Sequence, residues 1–150
     1  MSLLARSPLP LALVAGLLFG SGSAPAHAGS PPSTTSSLGE AFGSSSLEQI
    51  ALVDHLRSQG VTFYGAFWCQ ACFKQKVLFG KEAGNRLPYV ECAKEKDAAG
   101  AQACSAADVL AYPTWVMGNE RRVGVQSLQE LAIWTQFKGP ANFRSGKPGL

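Results

Sequence analysis

The chain has 150 residues, which is enough for one domain with a leader or a tail. Thirteen basic and ten acidic residues give a formal net charge of +3, and only 15% of the residues are charged. Nucleic-acid binding needs clustered lysine and arginine side chains to offset phosphate charge, so this composition argues against nucleic acid as a partner.

Residues 1–28 have the pattern of an export signal peptide. Arg6 precedes an apolar run, Leu9–Phe19, and Ala26-His27-Ala28 matches an A-x-A cleavage site. The run is too short to span a bilayer, which needs about 20 helical residues. We therefore predict cleavage before Gly29 and a protein that works outside the cytosol, with an uncleaved membrane anchor as the alternative.

Residues 29–46 are rich in Ser, Pro, Thr and Gly, and this composition predicts a flexible linker. Apolar residues at helical spacing then predict a first helix that starts at Leu47, with Ser46 as its N-cap and Gly60 as its end. The segment Val61–Phe67 is almost wholly apolar and rich in β-branched and aromatic residues, which predicts a strand buried on both faces of a sheet.

The predicted domain, residues 47–137, continues with alternating helices and strands and ends in a hairpin and a final helix. In chain order, the remaining predicted segments are a helix over Ala71–Phe79, a strand over Leu87–Glu91, a polar loop over Ala93–Gly100, a short helix over Ala101–Leu110, strands over Thr114–Met117 and Arg121–Val125, a helix from Leu128 to about Phe137, and a flexible tail over 138–150. This order predicts an α/β fold with a mixed four-stranded sheet and helices on both faces.

Trp68-Cys69-Gln70-Ala71-Cys72 lies between the first strand and the second helix. Two cysteines three residues apart can close a disulfide, and a helix N-terminus favours the reactive thiolate at Cys69. We expect Cys69 to form a mixed disulfide with a partner protein and Cys72 to resolve it. A zinc site and a purely structural bond are the alternatives. The chain has no second C-x-x-C to complete a zinc ribbon, so we expect no metal.

Cys92 and Cys104 lie on either side of the polar loop, one after a strand and one in the short helix. A disulfide between them would remove loop entropy worth about 3 kcal/mol from the unfolded chain. We predict a structural disulfide. The alternative is a second redox pair that passes electrons to or from Cys69 and Cys72.

Four segments in this order resemble one family, the thioredoxin-like domain that is fused to vitamin K epoxide reductase homologues in bacteria and plastids. The segments are Tyr64–Cys72, Gln75–Ala83, Leu87–Cys92 and Tyr112–Trp115, and the resemblance covers about Leu47–Phe137. It implies a thioredoxin-like fold and an exported thiol–disulfide oxidoreductase that forms or relays disulfides in exported proteins. It also implies that a quinone-linked membrane reductase reoxidises the Cys69–Cys72 pair.

The resemblance implies a site of action in the periplasm or the thylakoid lumen, with exported protein thiols and disulfides as the partners. We expect no cofactor. The family's fused four-helix membrane domain is absent from this sequence, so we expect the reductase to be a separate protein. We expect the chain itself to be a monomer. A reductant of specific exported thiols and a non-catalytic thioredoxin-fold binding module are the alternative functions.

In a thioredoxin fold, a cis proline lies against the C-x-x-C pair, and the backbone before it pairs with the substrate. Tyr112-Pro113-Thr114 stands at the matching place, and X-Pro bonds are the ones that adopt cis at low cost. We therefore expect a cis Tyr112–Pro113 bond, with an ordinary trans proline as the alternative. Trp68, Tyr112, Pro113 and Thr114 are the expected substrate-binding residues.

This sequence departs from the related domains at two places. Gln70-Ala71 stands where the family commonly has Pro-His, so one source of thiolate stabilisation is missing and a weaker oxidant is expected. Phe63 stands where thioredoxin has a buried acid. That difference argues against a cytosolic type of reductase with an internal proton acceptor.

Overall fold

A computed structural model of the chain describes residues 37–143. Its elements, in chain order, are α1 (Leu47–Ser58), β1 (Thr62–Gly65), α2 (Gln70–Gly84), β2 (Tyr89–Glu91), α3 (Ala98–Ala106), β3 (Thr114–Met117), β4 (Glu120–Val123) and α4 (Leu128–Trp134). The predicted signal peptide lies outside the described residues and stays a prediction. Within residues 37–143, no helix is both long enough and apolar enough to cross a membrane.

The four strands form one mixed sheet in the order β2-β1-β3-β4. Strand β1 pairs with β2 in parallel and with β3 antiparallel, and β3 pairs antiparallel with β4 through the predicted hairpin. The predicted α/β thioredoxin-like fold is therefore confirmed.

Phe63 lies at the centre of the core because its strand is central in the sheet. The ladder places Tyr89 beside it on one strand and Trp115 beside it on the other. The Phe63 ring lies 5.6 Å from the Tyr89 ring and stacks at 4.4 Å on Trp115. Such aromatic pairs contribute about 0.5–1.5 kcal/mol each beyond the area they bury, so they fix the register of β1.

The pleat of the sheet places helices on both of its faces. Gly65 faces Cys72 of α2, and Glu91 pairs directly with Gly65, so the Glu91 side chain leaves the sheet on the α2 face. The next residue, Cys92, continues the ladder by donating its N–H to the Gly65 carbonyl at 2.7 Å. Because neighbouring side chains alternate between faces, Cys92 points to the opposite face, where its disulfide to Cys104 holds α3.

Several boundaries differ from the prediction because of local caps. Helix α3 starts at Ala98, inside the predicted polar loop, because the Asp97 side chain accepts the N–H of Gly100 and forms an N-cap. Helix α2 runs on to Gly84, with a kink at Gly80, where φ is 77°. Only glycine adopts such a φ without strain, so the chain bends at Gly80, one residue after the predicted helix end at Phe79, and the helix continues beyond it.

The described part of the predicted linker, residues 37–46, packs on the domain. Leu38 is buried against the core, and the Gly39 carbonyl accepts a hydrogen bond from the buried Lys76 ammonium. Ser45 donates its hydroxyl to the Phe79 carbonyl at 2.7 Å. The packed segment therefore reaches at least to Ser37, about ten residues before the predicted start of the domain.

Residues 138–143, the described part of the predicted flexible tail, include a side chain that packs on the domain. The Phe143 ring lies 6.5 Å from Phe137, and both side chains are partly buried against the core. Residues 144–150 lie outside the described residues.

Candidate active site

Cys69 is the N-cap of α2, and this position brings main-chain N–H groups to its sulfur. Its backbone is extended, with φ −78° and ψ 104°, and its Sγ accepts the N–H of Cys72 at 3.1 Å. The Cys69 N–H in turn donates to the Ala66 carbonyl at 2.9 Å. Sulfur held at a helix N-terminus meets unpaired N–H groups and the positive end of the helix dipole, which stabilise a thiolate.

The structure joins Cys69 to Cys72 in a disulfide with a Cα–Cα distance of 5.2 Å. Cys69 is 7% exposed, and Cys72 is fully buried against β1. A Cβ added at Gly65 would lie 2.9 Å from the Cys72 sulfur, so only glycine leaves room for it there. Cys69 is therefore the more accessible of the two cysteines, and the buried Cys72 is placed to react within the chain.

A pair of aromatic side chains, one exposed and one partly buried, lies beside Cys69. Trp68 is 58% exposed, and its ring packs edge-on against Tyr112 at 5.8 Å. The Tyr112–Pro113 peptide bond is cis, which confirms that prediction. Pro113 is buried, and its carbonyl accepts the N–H of Gly124 at 2.8 Å. The structure thus brings Trp68, Tyr112 and Pro113 to the same side of the domain.

Thr114 lies behind this surface rather than on it. Its side chain is 2% exposed, and its hydroxyl donates to the Ala111 carbonyl at 2.7 Å. Its main chain belongs to β3 and pairs with β1 and β4. The hydroxyl therefore supports the turn that carries Pro113.

An open cavity beside the Pro113 turn was not predicted from the sequence. It has a volume of about 340 Å³, and its lining residues are Asp108, Leu110, Ala111, Thr114, Arg121 and Val123. Leu110 is 89% exposed and Val123 is 61% exposed. The sequence signal was weak, because Leu110 ends a predicted helix and Val123 lies within a predicted strand.

Glu91 is a residue near the site that was not predicted from the sequence. Its side chain is nearly buried on the α2 face, and Oε1 accepts the main-chain N–H groups of Phe67 at 3.1 Å and Ala93 at 2.9 Å. Oε2 accepts the hydroxyls of Tyr89 and Ser37. Burial raises the pKa of Tyr89, so its hydroxyl stays protonated and available as a donor.

Cys92 and Cys104 form the predicted disulfide, with a Cα–Cα distance of 5.7 Å. Both residues are nearly buried, and the pleat places them on the opposite side of the sheet from Cys72. The sheet therefore separates the two disulfides. Among residues 37–143, no group of three His, Cys, Asp or Glu side chains is placed to hold a metal ion.

Known proteins include a relative of this chain. No protein-family model matches the chain. The chain is similar to the thiol-disulfide oxidoreductase LTO1 of Arabidopsis thaliana, with 43% identity over 101 residues. The match covers 65% of this chain but 27% of that protein, so the chain spans about a quarter of the length of this relative.

Proposed function

We propose that the chain is an exported thiol–disulfide oxidoreductase that forms or relays disulfide bonds in exported proteins. The observation that carries this proposal is the Cys69–Cys72 disulfide, with Cys69 at the N-cap of α2 beside the exposed Trp68, whose ring packs on Tyr112. The similarity to a thiol-disulfide oxidoreductase supports the same chemistry.

The chemistry proceeds by two exchanges at Cys69. A substrate thiolate attacks the Cys69 sulfur, the Cys72 sulfur leaves as a thiolate, and a mixed disulfide joins Cys69 to the substrate. A second substrate thiolate then attacks the substrate sulfur of that bond, and Cys69 leaves as a thiolate. The substrate dithiol loses two electrons and two protons, and the Cys69–Cys72 pair gains them.

In this proposal the substrate binds along the surface beside Cys69 where Trp68 packs on Tyr112. Within residues 37–143, the Tyr112 main chain makes no hydrogen bond, so its N–H and carbonyl are available to an extended peptide. The 340 Å³ cavity beside Pro113 accommodates a neighbouring side chain of that peptide.

A quinone-linked membrane reductase then reoxidises the reduced pair, through a disulfide of its own. The resemblance of this chain to the domain fused to vitamin K epoxide reductase homologues supports this step. The export signal pattern of residues 1–28 supports a site of action in the periplasm or the thylakoid lumen.

The test of this function is turnover with single-cysteine variants. The purified protein should oxidise the dithiol of a model peptide, with the reduced pair reoxidised by an added disulfide reagent. Cys69→Ser should abolish turnover, and Cys72→Ser should accumulate a mixed disulfide through Cys69. Full turnover in Cys69→Ser would rule out the assigned nucleophile, and binding without turnover in the wild-type protein would favour a binding module.

The direction of electron flow needs a separate measurement. The reduction potential of Cys69–Cys72, set against that of the compartment, separates an oxidant from a reductant of exported thiols. The mature N-terminus of exported protein should lie near Gly29. An intact Met1 on protein from the cytosol would contradict the proposed compartment.

A further inference from the structure

Glu91 makes more contacts than a carboxylate at the end of an edge strand needs. It is 7% exposed and accepts hydrogen bonds from two main-chain N–H groups and two hydroxyl groups. Its four hydrogen-bond donors are therefore all neutral groups. Burying an ionised carboxylate is costly unless it is fully hydrogen-bonded, so an arrangement of this kind needs an explanation.

One of these contacts leads directly to the redox pair. The peptide group between Ala66 and Phe67 donates its N–H to Glu91 Oε1 at 3.1 Å. The carbonyl of the same peptide group accepts the N–H of Cys69 at 2.9 Å. A single rigid, planar group therefore connects the carboxylate to the main chain of Cys69.

This connection is important because β1 ends at Gly65 and the segment from 66 to 68 lies outside the sheet ladder. Without Glu91, the Ala66–Phe67 peptide group would lose the partner of its N–H and could rotate. A hydrogen bond to a carboxylate also polarises the peptide group, which strengthens the carbonyl as an acceptor for Cys69.

We propose that Glu91 is a positioning residue for thiol–disulfide exchange, which holds Cys69 at the N-cap of α2 through the Ala66–Phe67 peptide group. This inference rests on the proposed function. Glu91 does not touch the reacting sulfurs through any of its hydrogen bonds; it fixes the main chain on which the Cys69 sulfur is held toward the N–H of Cys72. Without the hydrogen bond to Glu91, the Cys69 sulfur is held less firmly toward the Cys72 N–H. The Cys69 thiolate is then less stabilised and reacts more slowly.

The experiment measures how fast Cys69 reacts in folded protein. The reduced wild-type chain and variants are treated with iodoacetamide and, separately, with a small aromatic disulfide, and modification of Cys69 is followed by mass spectrometry of its peptide. Glu91→Ala should lower both rate constants about tenfold, which matches the loss of one hydrogen bond to a charged group. Thermal unfolding of each variant gives the folded fraction at the assay temperature.

Three further variants separate positioning from general stability. Glu91→Gln keeps an accepting oxygen for the two N–H groups and should restore the rate to within about threefold of wild type. Tyr89→Phe removes one contact to Oε2 and should leave the rate unchanged while lowering stability. Glu91→Asp shortens the side chain by one methylene and should react as slowly as Glu91→Ala; it provides the test if the alanine variant does not fold.

Two results would overturn the inference. One is a wild-type rate in folded Glu91→Ala or Glu91→Asp. The other is an equal slowing in Tyr89→Phe, which would indicate general loosening of the site. Failure of the proposed function has a different signature, because wild-type protein would then react with iodoacetamide but show no turnover with a dithiol peptide.

Discussion

Replacement of Cys92 and Cys104 by alanine tests whether the second disulfide stabilises the fold or takes part in electron transfer. The bond joins residues 12 apart in sequence. Closing a loop of that length removes entropy from the unfolded chain worth about 3 kcal/mol. For a domain of about 100 residues, a loss of about 3 kcal/mol lowers the melting temperature by roughly 12–24 °C.

The assay pairs urea unfolding with the rate of exchange at Cys69. The double variant should lose about 3 kcal/mol of unfolding free energy and keep its exchange rate, because the sheet separates Cys92–Cys104 from the redox pair. The matched control replaces Cys69 and Cys72 by alanine. That bond closes a much shorter loop, so the control should lose less stability and all exchange.

The opposite pattern would refute this reasoning. If the double variant keeps its stability but loses transfer to a partner, Cys92–Cys104 carries electrons. A mixed disulfide between Cys72 and Cys104 during turnover would have the same meaning, since the sheet would then have to open for the two sulfurs to meet.

Three other predictions follow from single contacts. Gly100→Ala should destabilise the protein because a Cβ there would overlap the carbonyl oxygen of Glu91. This overlap should outweigh the helix propensity of alanine, which favours alanine over glycine by about 1 kcal/mol. A higher urea midpoint for the variant would contradict this prediction. Burial lowers the pKa of Lys76 below 10.5. The buried charge therefore lowers the free energy of unfolding by its full amount at neutral pH, and this destabilisation disappears as the pH rises toward 10.5 and Lys76 loses its proton. Between pH 7 and pH 10, the unfolding free energy of wild type should therefore rise relative to that of Lys76→Met. If the two proteins showed parallel plots of unfolding free energy against pH, Lys76 would not be a buried cation. Hydrogen bonds from Ser127 lower the pKa of Glu130 below 4.5. The capping box of α4 therefore stabilises the fold fully above pH 4.5, and this stabilisation is lost as the pH falls through the lowered pKa. Between pH 5 and pH 3, Glu130→Gln should lose less stability than wild type.

The order of elements could be predicted because the local signals in this sequence are strong. The β-branched and aromatic strand before Cys69, the serine caps at Ser46 and Ser127, and the hairpin connection each depend on residues close in sequence. Patterns of this kind are sufficient for element type and for topology, since neighbouring elements pair by short connections.

The packed segment 37–46 could not be predicted, because its partners are distant in the chain. Ser37 bonds to Glu91, 54 residues away, and Ser45 bonds to the main chain of Phe79, 34 residues away. Local composition rich in serine and glycine is typical of linkers, and it contains no information about a packing surface that distant residues form. Glu91 was missed for the same reason, since a glutamate at a strand end is ordinarily solvated.

The absence of a basic side chain within the motif makes the main chain decisive at this site. Gln70 and Ala71 carry no charge, so no imidazolium or other cation inside the C-x-x-C can stabilise the Cys69 thiolate. What remains is the helix N-terminus and the N–H of Cys72, and these act only at short range and in the correct orientation. A site that depends on main-chain donors is sensitive to the position of its backbone. The structure supplies that position through a buried carboxylate on the neighbouring strand and one shared peptide group. The chemistry of Cys69 is therefore inseparable from the way β2 packs against β1.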